Sequence, residues 1–280
     1  MANPANNPLF KHFRQPSIYL KLPSGGKYWD DDAIDLPATG EIPIYPMTVK
    51  DEITLKTPDA LMNGEGMASV IKSCCPNIKD PWGIPLCDLD PILISMRLAS
   101  YGNEMEIRSS CPKCNETNEN ILELSALLDQ YKMPEYGSVT VNNGKLTITF
   151  KPQFFRTLNN SNMALYEQRK LLSVVQSSDL SEEEKSKEFD RILPKLTEMN
   201  VENIINSIES IETSDGVTVK ETKFLREFID NCDRQIYDAI KNKIEEESIN
   251  NRVEPVQITC SECEETYKTT LNFENSNFFG

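Results

Sequence analysis

Two short cysteine knuckles, far apart along the chain, restrict the architectures open to this sequence more than any other feature. The first opens "CPKCNETNENILEL" at Cys111, and the second opens "CSECEETYKTTLNF" at Cys260. Aligned on their leading cysteines, both read Cys-x-x-Cys-x-Glu-Thr, and both then place a leucine, Leu122 and Leu271, in register. Two residues between cysteines let one tight turn aim both sulfurs at a single point. A tetrahedral zinc ion needs four such ligands, so one knuckle supplies half a shell. The pattern predicts that Cys111, Cys114, Cys260 and Cys263 close around one structural zinc ion, each pair sitting at the tip of a strand pair.

The long stretch between Cys114 and Cys260 is compatible with this split ribbon. Loop closure costs only about 0.6 kcal/mol per doubling of length. Structural zinc contributes roughly 10–16 kcal/mol in finger peptides. Other uses of these cysteines fit less well. A redox Cys-x-x-Cys opens a helix after a strand, and neither knuckle is followed by helical periodicity. Eight cysteines behind an N-terminus with no apolar signal core point to a reducing compartment, where such pairs bind metal more often than they form disulfides. A catalytic zinc keeps one position open, and four thiolates leave none. Cys74, Cys75, Cys87 and Cys232 lack the ligand spacing and read as small buried residues; a second metal site at Cys74-Cys75-Pro76 with Cys87 is the weaker alternative.

Charge narrows the partners. The chain carries 29 basic and 44 acidic residues, a net charge of −15. Residues 104–125 hold two basic and five acidic side chains, and residues 254–274 hold one basic and five acidic. Such surfaces repel phosphate, so neither nucleic acid nor an acidic membrane is an expected partner, and proteins are. A zinc-ribbon nucleic-acid-binding or transcription accessory protein is the alternative that this charge disfavours. "PSGGKYW" lacks the spacing of a phosphate loop, and reads as a turn with Tyr28 and Trp29 packed on a sheet. "WDDD" reads as a solvated loop. No nucleophile–base pair or cofactor loop stands out, so a non-enzymatic protein without a small-molecule substrate is expected.

The remaining pattern predicts an α+β fold with a small N-terminal β region, core helices, the discontinuous ribbon and a mainly helical insertion. Residues 1–16 form an extended N-terminal arm. Residues 17–125 with 254–280 form a core domain, and residues 126–253 an insertion domain. Short strands occupy residues 17–46, punctuated by Pro23 and Gly25-Gly26. Thr48 with Asp51 resembles a capping box opening a helix through Leu55. Met67, Val70, Ile71 and Cys74 mark one buried helical face. Asp90 as N-cap, Pro91 at the first helical position and Gly102 as stop predict a core helix from Pro91 to Tyr101. Asn143-Gly144 marks a hairpin. From Met163 to Ile249 the pattern is helical almost throughout: Ser181 and Glu184 form a capping box, and Pro194 and Gly216 divide the helices. The closing Phe278-Phe279 either folds back or docks on a partner, with folding back favoured.

"LPSGGKYW", "YPMTVKDEITLKTPDALMNGEGMASVIKSC", "DLDPILISMRLASYGNEMEIRSSCPKC", "KFLREFIDNC" and "CSECEETYKTTLNFENSNFF" follow one another in an order that resembles the T4-type baseplate protein family of contractile-tailed bacteriophages. The resemblance runs from Ile18 to Phe279. It implies a structural or assembly role at the central baseplate hub, with other phage tail proteins as partners. It also implies synthesis in the host cytoplasm during assembly and a possible place in the virion tail. The zinc expectation rests on the knuckles themselves, since family members differ in how complete their cysteines are.

Overall fold

The computed structural model describes residues 7–57, 64–176, 181–251, 253–271 and 276–279. It is an α+β protein that divides into two compact units. One comprises Met1–Pro81, Asp88–Met133 and Val253–Gly280, the other Trp82–Cys87 and Pro134–Arg252. Of the expected N-terminal arm, residues 1–6 lie outside the described residues. The rest makes a single 3-10 turn at Phe10–His12 and then an anchored segment. Arg14 holds it: Nη2 donates to the Ser73 carbonyl at 2.9 Å and its hydroxyl at 2.8 Å, and Nη1 faces Asp51 at 3.4 Å.

In the first unit, β1 (Ile18–Lys21) pairs antiparallel with β2 (Glu41–Ile44), bringing Ile18 opposite Ile44. Helix α1 (Val49–Leu55) starts at a capping box in which the Thr48 side chain accepts from the Asp51 N–H and the Asp51 carboxylate accepts from the Thr48 N–H. Helix α2 (Glu65–Cys74) buries Met67, Val70, Ile71 and Cys74, the stripe its spacing predicts.

Helix α3 spans Leu86–Tyr101, a turn longer than the cap-and-proline signature predicts, with Pro91 inside it and Asp90 not its cap. The reason lies in tertiary structure. Asp88, fully buried, accepts hydrogen bonds from the Ser24 N–H at 2.9 Å, the Ser24 hydroxyl and Trp29 Nε1 at 2.7 Å. A helical turn ahead of Pro91 is what presents this carboxylate to the Pro23–Trp29 loop, and the three donors offset part of the desolvation of a buried charge. Proline forfeits only its own backbone bond there. Trp29 is thereby fixed to a helix, whereas Asp30, Asp31 and Asp32 are exposed, as a solvated loop should be. Leu89, Ile92, Leu93, Ile94 and Met96 are buried, and Gly102 ends the helix at φ +90°. Strands β3 (Glu104–Ser110) and β4 (Thr117–Glu123) follow as a hairpin, then the short α4 (Leu124–Leu128).

The second unit is mainly helical, as expected, but strands interrupt the helical stretch. Strands β5 (Ser138–Val141) and β6 (Leu146–Phe150) form the hairpin marked by Asn143-Gly144. Helices α5 (Phe155–Gln176) and α6 (Glu182–Ser207) come next, α6 opening on the Ser181–Glu184 capping box. Pro194 does not divide helices; it lies within α6, which continues to bury Ile204, Ile205 and Ser207. Gly216 does not divide helices either. It turns, at φ +84°, between β7 (Ile208–Thr213) and β8 (Thr218–Val219), so strands interrupt the helical stretch.

Those strands complete an antiparallel sheet of order β5-β6-β7-β8. A bulge disguises β7 as helix. Ile148 pairs with Ile211, yet Phe150 pairs with Ile208, so β7 carries one residue more than β6 between two inward side chains. The buried Ile204, Ile205, Ile208 and Ile211 therefore keep a helix-like spacing across the junction. Helices α7 (Thr222–Asn231) and α8 (Arg234–Asn250) lay Leu225, Ile229, Ile236 and Ile240 into one core with Ile148, Phe150 and the β7 isoleucines. Burying each such side chain contributes about 1.5–3 kcal/mol.

The chain then returns to the first unit as β9 (Val256–Thr259) and β10 (Thr266–Thr269), a second antiparallel hairpin. Residues 272–275 lie outside the described residues. A final 3-10 turn, Ser276–Phe279, buries both Phe278 and Phe279 against the chain's own surface.

Candidate metal centre

Each knuckle is a tight turn joining two strands, and the two share the same pair of backbone hydrogen bonds. In the first, the Cys111 N–H donates to the Glu116 carbonyl at 2.9 Å and the Asn115 N–H to the Cys111 carbonyl at 2.9 Å. In the second, the Cys260 N–H donates to Glu265 at 2.8 Å and the Glu264 N–H to Cys260 at 3.1 Å. Asn115 and Glu264, at matching positions, take the left-handed conformation with φ of 59° and 57°. These bonds curl the chain so that both cysteines of a knuckle face the same side.

Packing the two turns together brings all four sulfurs within 4.8 Å of one another. The cross-knuckle pairs are closest, Cys111 Sγ to Cys263 Sγ and Cys114 Sγ to Cys260 Sγ, each at 3.6 Å. A zinc ion with Zn–S bonds of about 2.3 Å has tetrahedral S···S edges of about 3.8 Å. A disulfide needs about 2.0 Å, and all eight cysteines are free thiols. The donor set thus suits a closed tetrahedral ion. Among the described residues, no other group of three or more potential ligands clusters in this way, and Cys74, Cys75 and Cys87 form no second centre. Burial, foremost, pushes the Cys74 thiol up to about 12, the behaviour of an inert interior residue.

The surroundings favour thiolate at Cys260. The Cys263 N–H foremost, then the Glu262 N–H, the Asn118 amide and the Cys114 thiol, draw its pKa down to about 6 against the opposing effect of burial, while Cys114 and Cys263, which share hydrogen bonds with their neighbouring sulfurs, are raised. Outside the ring, Lys113 of one knuckle faces Glu265 of the other at 3.2 Å, and this carboxylate raises the lysine pKa.

Asn118, buried at the start of β4, is the residue that spacing arguments miss. Its Nδ2 donates to Cys260 Sγ at 3.5 Å and to the Tyr267 hydroxyl at 3.3 Å. Its Oδ1 accepts from the Ser261 N–H at 2.8 Å and the Ser261 hydroxyl at 3.1 Å. Tyr267 in turn shares a 2.7 Å hydrogen bond with the Ser109 hydroxyl on β3. One side chain therefore stitches hairpin to hairpin and touches a sulfur as well. The signal was present in the repeat: directly after the shared Glu-Thr, where the copies diverge, stand Asn118 and Tyr267.

Fold and site together define an α+β protein whose two remote hairpins meet in a four-thiol cluster, with a second sheet-and-helix unit between them in sequence. The family model described as T4 bacteriophage base plate protein matches residues 15–280, and the chain belongs to that family. No curated protein and no solved structure matches it significantly. Among the described residues, no helix is long and apolar enough to cross a membrane.

Proposed function

We propose that this chain is a non-enzymatic structural or assembly protein of the hub region of a contractile phage tail baseplate, acting by binding other tail proteins. In this reading Cys111, Cys114, Cys260 and Cys263 hold one structural zinc ion. The family match across nearly the whole chain carries the baseplate assignment. The closeness of four free thiols supports the metal. Zinc supplies four bonds and no redox chemistry. The residues do the rest: the knuckle N–H groups orient the sulfurs, and Asn118 and Tyr267 lock the hairpins in register. The clamp fixes residues 104–123 to residues 256–269, which turns two marginal hairpins into one rigid platform.

Metal analysis of the purified protein tests the centre, with one zinc per chain expected and its absence counting against it. Fractionation of tail assembly intermediates and mature particles, followed by mass spectrometry, tests the role. The protein is expected with hub intermediates; absence from every tail fraction defeats the proposal.

A further inference from the structure

The two hairpins share their knuckles but not their outer faces. In β3–β4, Met105, Ile107, Ser109, Asn118, Asn120 and Leu122 alternate inward, towards the side from which Tyr267 reaches Ser109 and Asn118. The other face is solvent-exposed along its whole length, and its cross-strand pairs are Glu104–Glu123, Glu106–Ile121, Arg108–Glu119 and Ser110–Thr117. Arg108 is neutralised by Glu119 at 2.9 Å. No cation among the described residues pairs with Glu104, Glu106 or Glu123. Amid these three carboxylates stands Ile121, 67% exposed.

The fold does not call for this face. Two glutamates placed directly opposite each other repel, and a bare isoleucine gains nothing from water. Counted from the leading cysteines, the exposed β9–β10 residues Gln257, Thr259, Thr266 and Lys268 match Arg108, Ser110, Thr117 and Glu119, and β9–β10 has no strand positions that match Glu104, Glu106, Ile121 and Glu123. The three carboxylates and the isoleucine therefore sit on the length by which β3–β4 outruns the shared repeat.

We propose that the outer face of β3–β4 is a docking surface for a basic segment of another protein, one that presents lysine or arginine side chains around a single apolar residue. The carboxylates of Glu104, Glu106 and Glu123 meet the cations, and Ile121 meets the apolar residue. Charge complementarity selects this occupant over a second copy of the chain, which at −15 is itself acidic. The inference rests on the reading that the chain binds other tail proteins, and it names the surface and the chemistry of one such contact.

The test uses the full-length protein carrying the photo-crosslinker p-benzoylphenylalanine in place of Ile121, with a control carrying it in place of Thr266, in cells assembling the tail. Irradiation at position 121 is expected to capture one protein, within a stretch where lysine and arginine outnumber acids and flank an apolar residue. Adding Glu104→Lys and Glu106→Lys is expected to cut that crosslink about tenfold. Glu104→Lys replaces a repulsive pair with an attractive one, so the melting temperature, measured alongside, is expected to hold. Four outcomes overturn the inference: no excess over the Thr266 control, capture of an acidic segment, capture of the chain itself, or a crosslink that survives charge reversal. Co-purification with tail intermediates is scored in the same cells. If it persists while position 121 is silent, this surface is wrong and the proposed function stands; if both are lost, the proposed function fails first.

Discussion

Asn118 and Tyr267 occupy the same place in the two knuckle repeats, and the Asn118 amide donates to the Tyr267 hydroxyl at 3.3 Å. Where the repeats diverge in sequence, they become partners in space. The amide has two donors and an acceptor for Cys260, Tyr267 and Ser261, while the tyrosine reaches on to Ser109. Groups that hydrogen-bond metal ligands typically contribute 10–100-fold in metal affinity. In the proposed zinc centre, Asn118→Ala is therefore expected to weaken metal binding by about tenfold or more, read by competition with a chromogenic chelator. Tyr267→Phe, which keeps the ring and the Cys260 contact of Asn118, is expected to lose less. Unchanged affinity in Asn118→Ala would remove this side chain from the centre's support.

Glu264 is held at φ 57°, in the left-handed region, where its counterpart in the other knuckle is an asparagine at φ 59°. Asparagine visits this region readily, whereas other L-residues are disfavoured by roughly 1–2 kcal/mol. Glu264→Asn is thus expected to stabilise the protein by about 0.5–1 kcal/mol, raising the melting temperature by roughly 2 °C. The mirror experiment, Asn115→Val, forces a β-branched residue into the same conformation and is expected to lower it. Thermal melts of the two variants beside the wild type decide both.

What could be read from the sequence was local. A Cys-x-x-Cys pair, a Thr48–Asp51 or Ser181–Glu184 capping box and an Asn143-Gly144 turn each act within a few residues, and all appear in the structure. The gathering of four sulfurs was legible because the knuckles repeat. The rest depended on partners distant in sequence. Asp90 and Pro91 look like a helix start, but Ser24 and Trp29 hold Asp88, a turn earlier, in helical geometry. Ile208 and Ile211 look helical because a bulge against Phe150 adds a residue to their strand. Asn118 escapes a spacing argument because its role exists only once the second hairpin lies beside the first.

Asp88 offers a pH test. Its carboxylate is buried and no cation among the described residues pairs with it; burial, the largest influence, raises its pKa above the usual 3.8 although Ser24 and Trp29 donate to it. A carboxyl with a raised folded pKa lowers stability as pH climbs through the interval between its unfolded and folded values, because the folded state then holds a charge it disfavours. The contribution is recovered as pH falls back through that interval. Asp88→Asn cannot titrate, and its amide presents donors to the Ser24 hydroxyl and Trp29 N–H. It is expected to destabilise by about 1–3 kcal/mol at neutral pH. The gap between wild type and variant is expected to widen as pH falls from neutral towards the carboxylate range. Urea unfolding at several pH values measures it, and a gap that narrows would reverse the assigned sign.

Phe278 closes the first unit through Arg97. The guanidinium lies over the rings of Tyr101 and Phe278, 5.4 Å from each centroid, and Nη1 donates to the Phe278 carbonyl. Phe279 packs edge-on against Phe278 with ring centroids 4.9 Å apart, and both side chains are buried. The two rings therefore anchor the segment beyond the second knuckle to helix α3, the helix that also carries Asp88. Truncating a buried phenylalanine typically costs 3–5 kcal/mol, and a site at a chain end can relax part of that. Phe278→Ala is expected to destabilise by about 2–3 kcal/mol. Arg97→Lys keeps the charge but loses the planar face that stacks between two rings, at about 1 kcal/mol. If the contacts act as one unit, the double variant is expected to cost less than the two single losses combined. Strict additivity in denaturant unfolding would show that the arginine and the aromatic tail stabilise the unit independently.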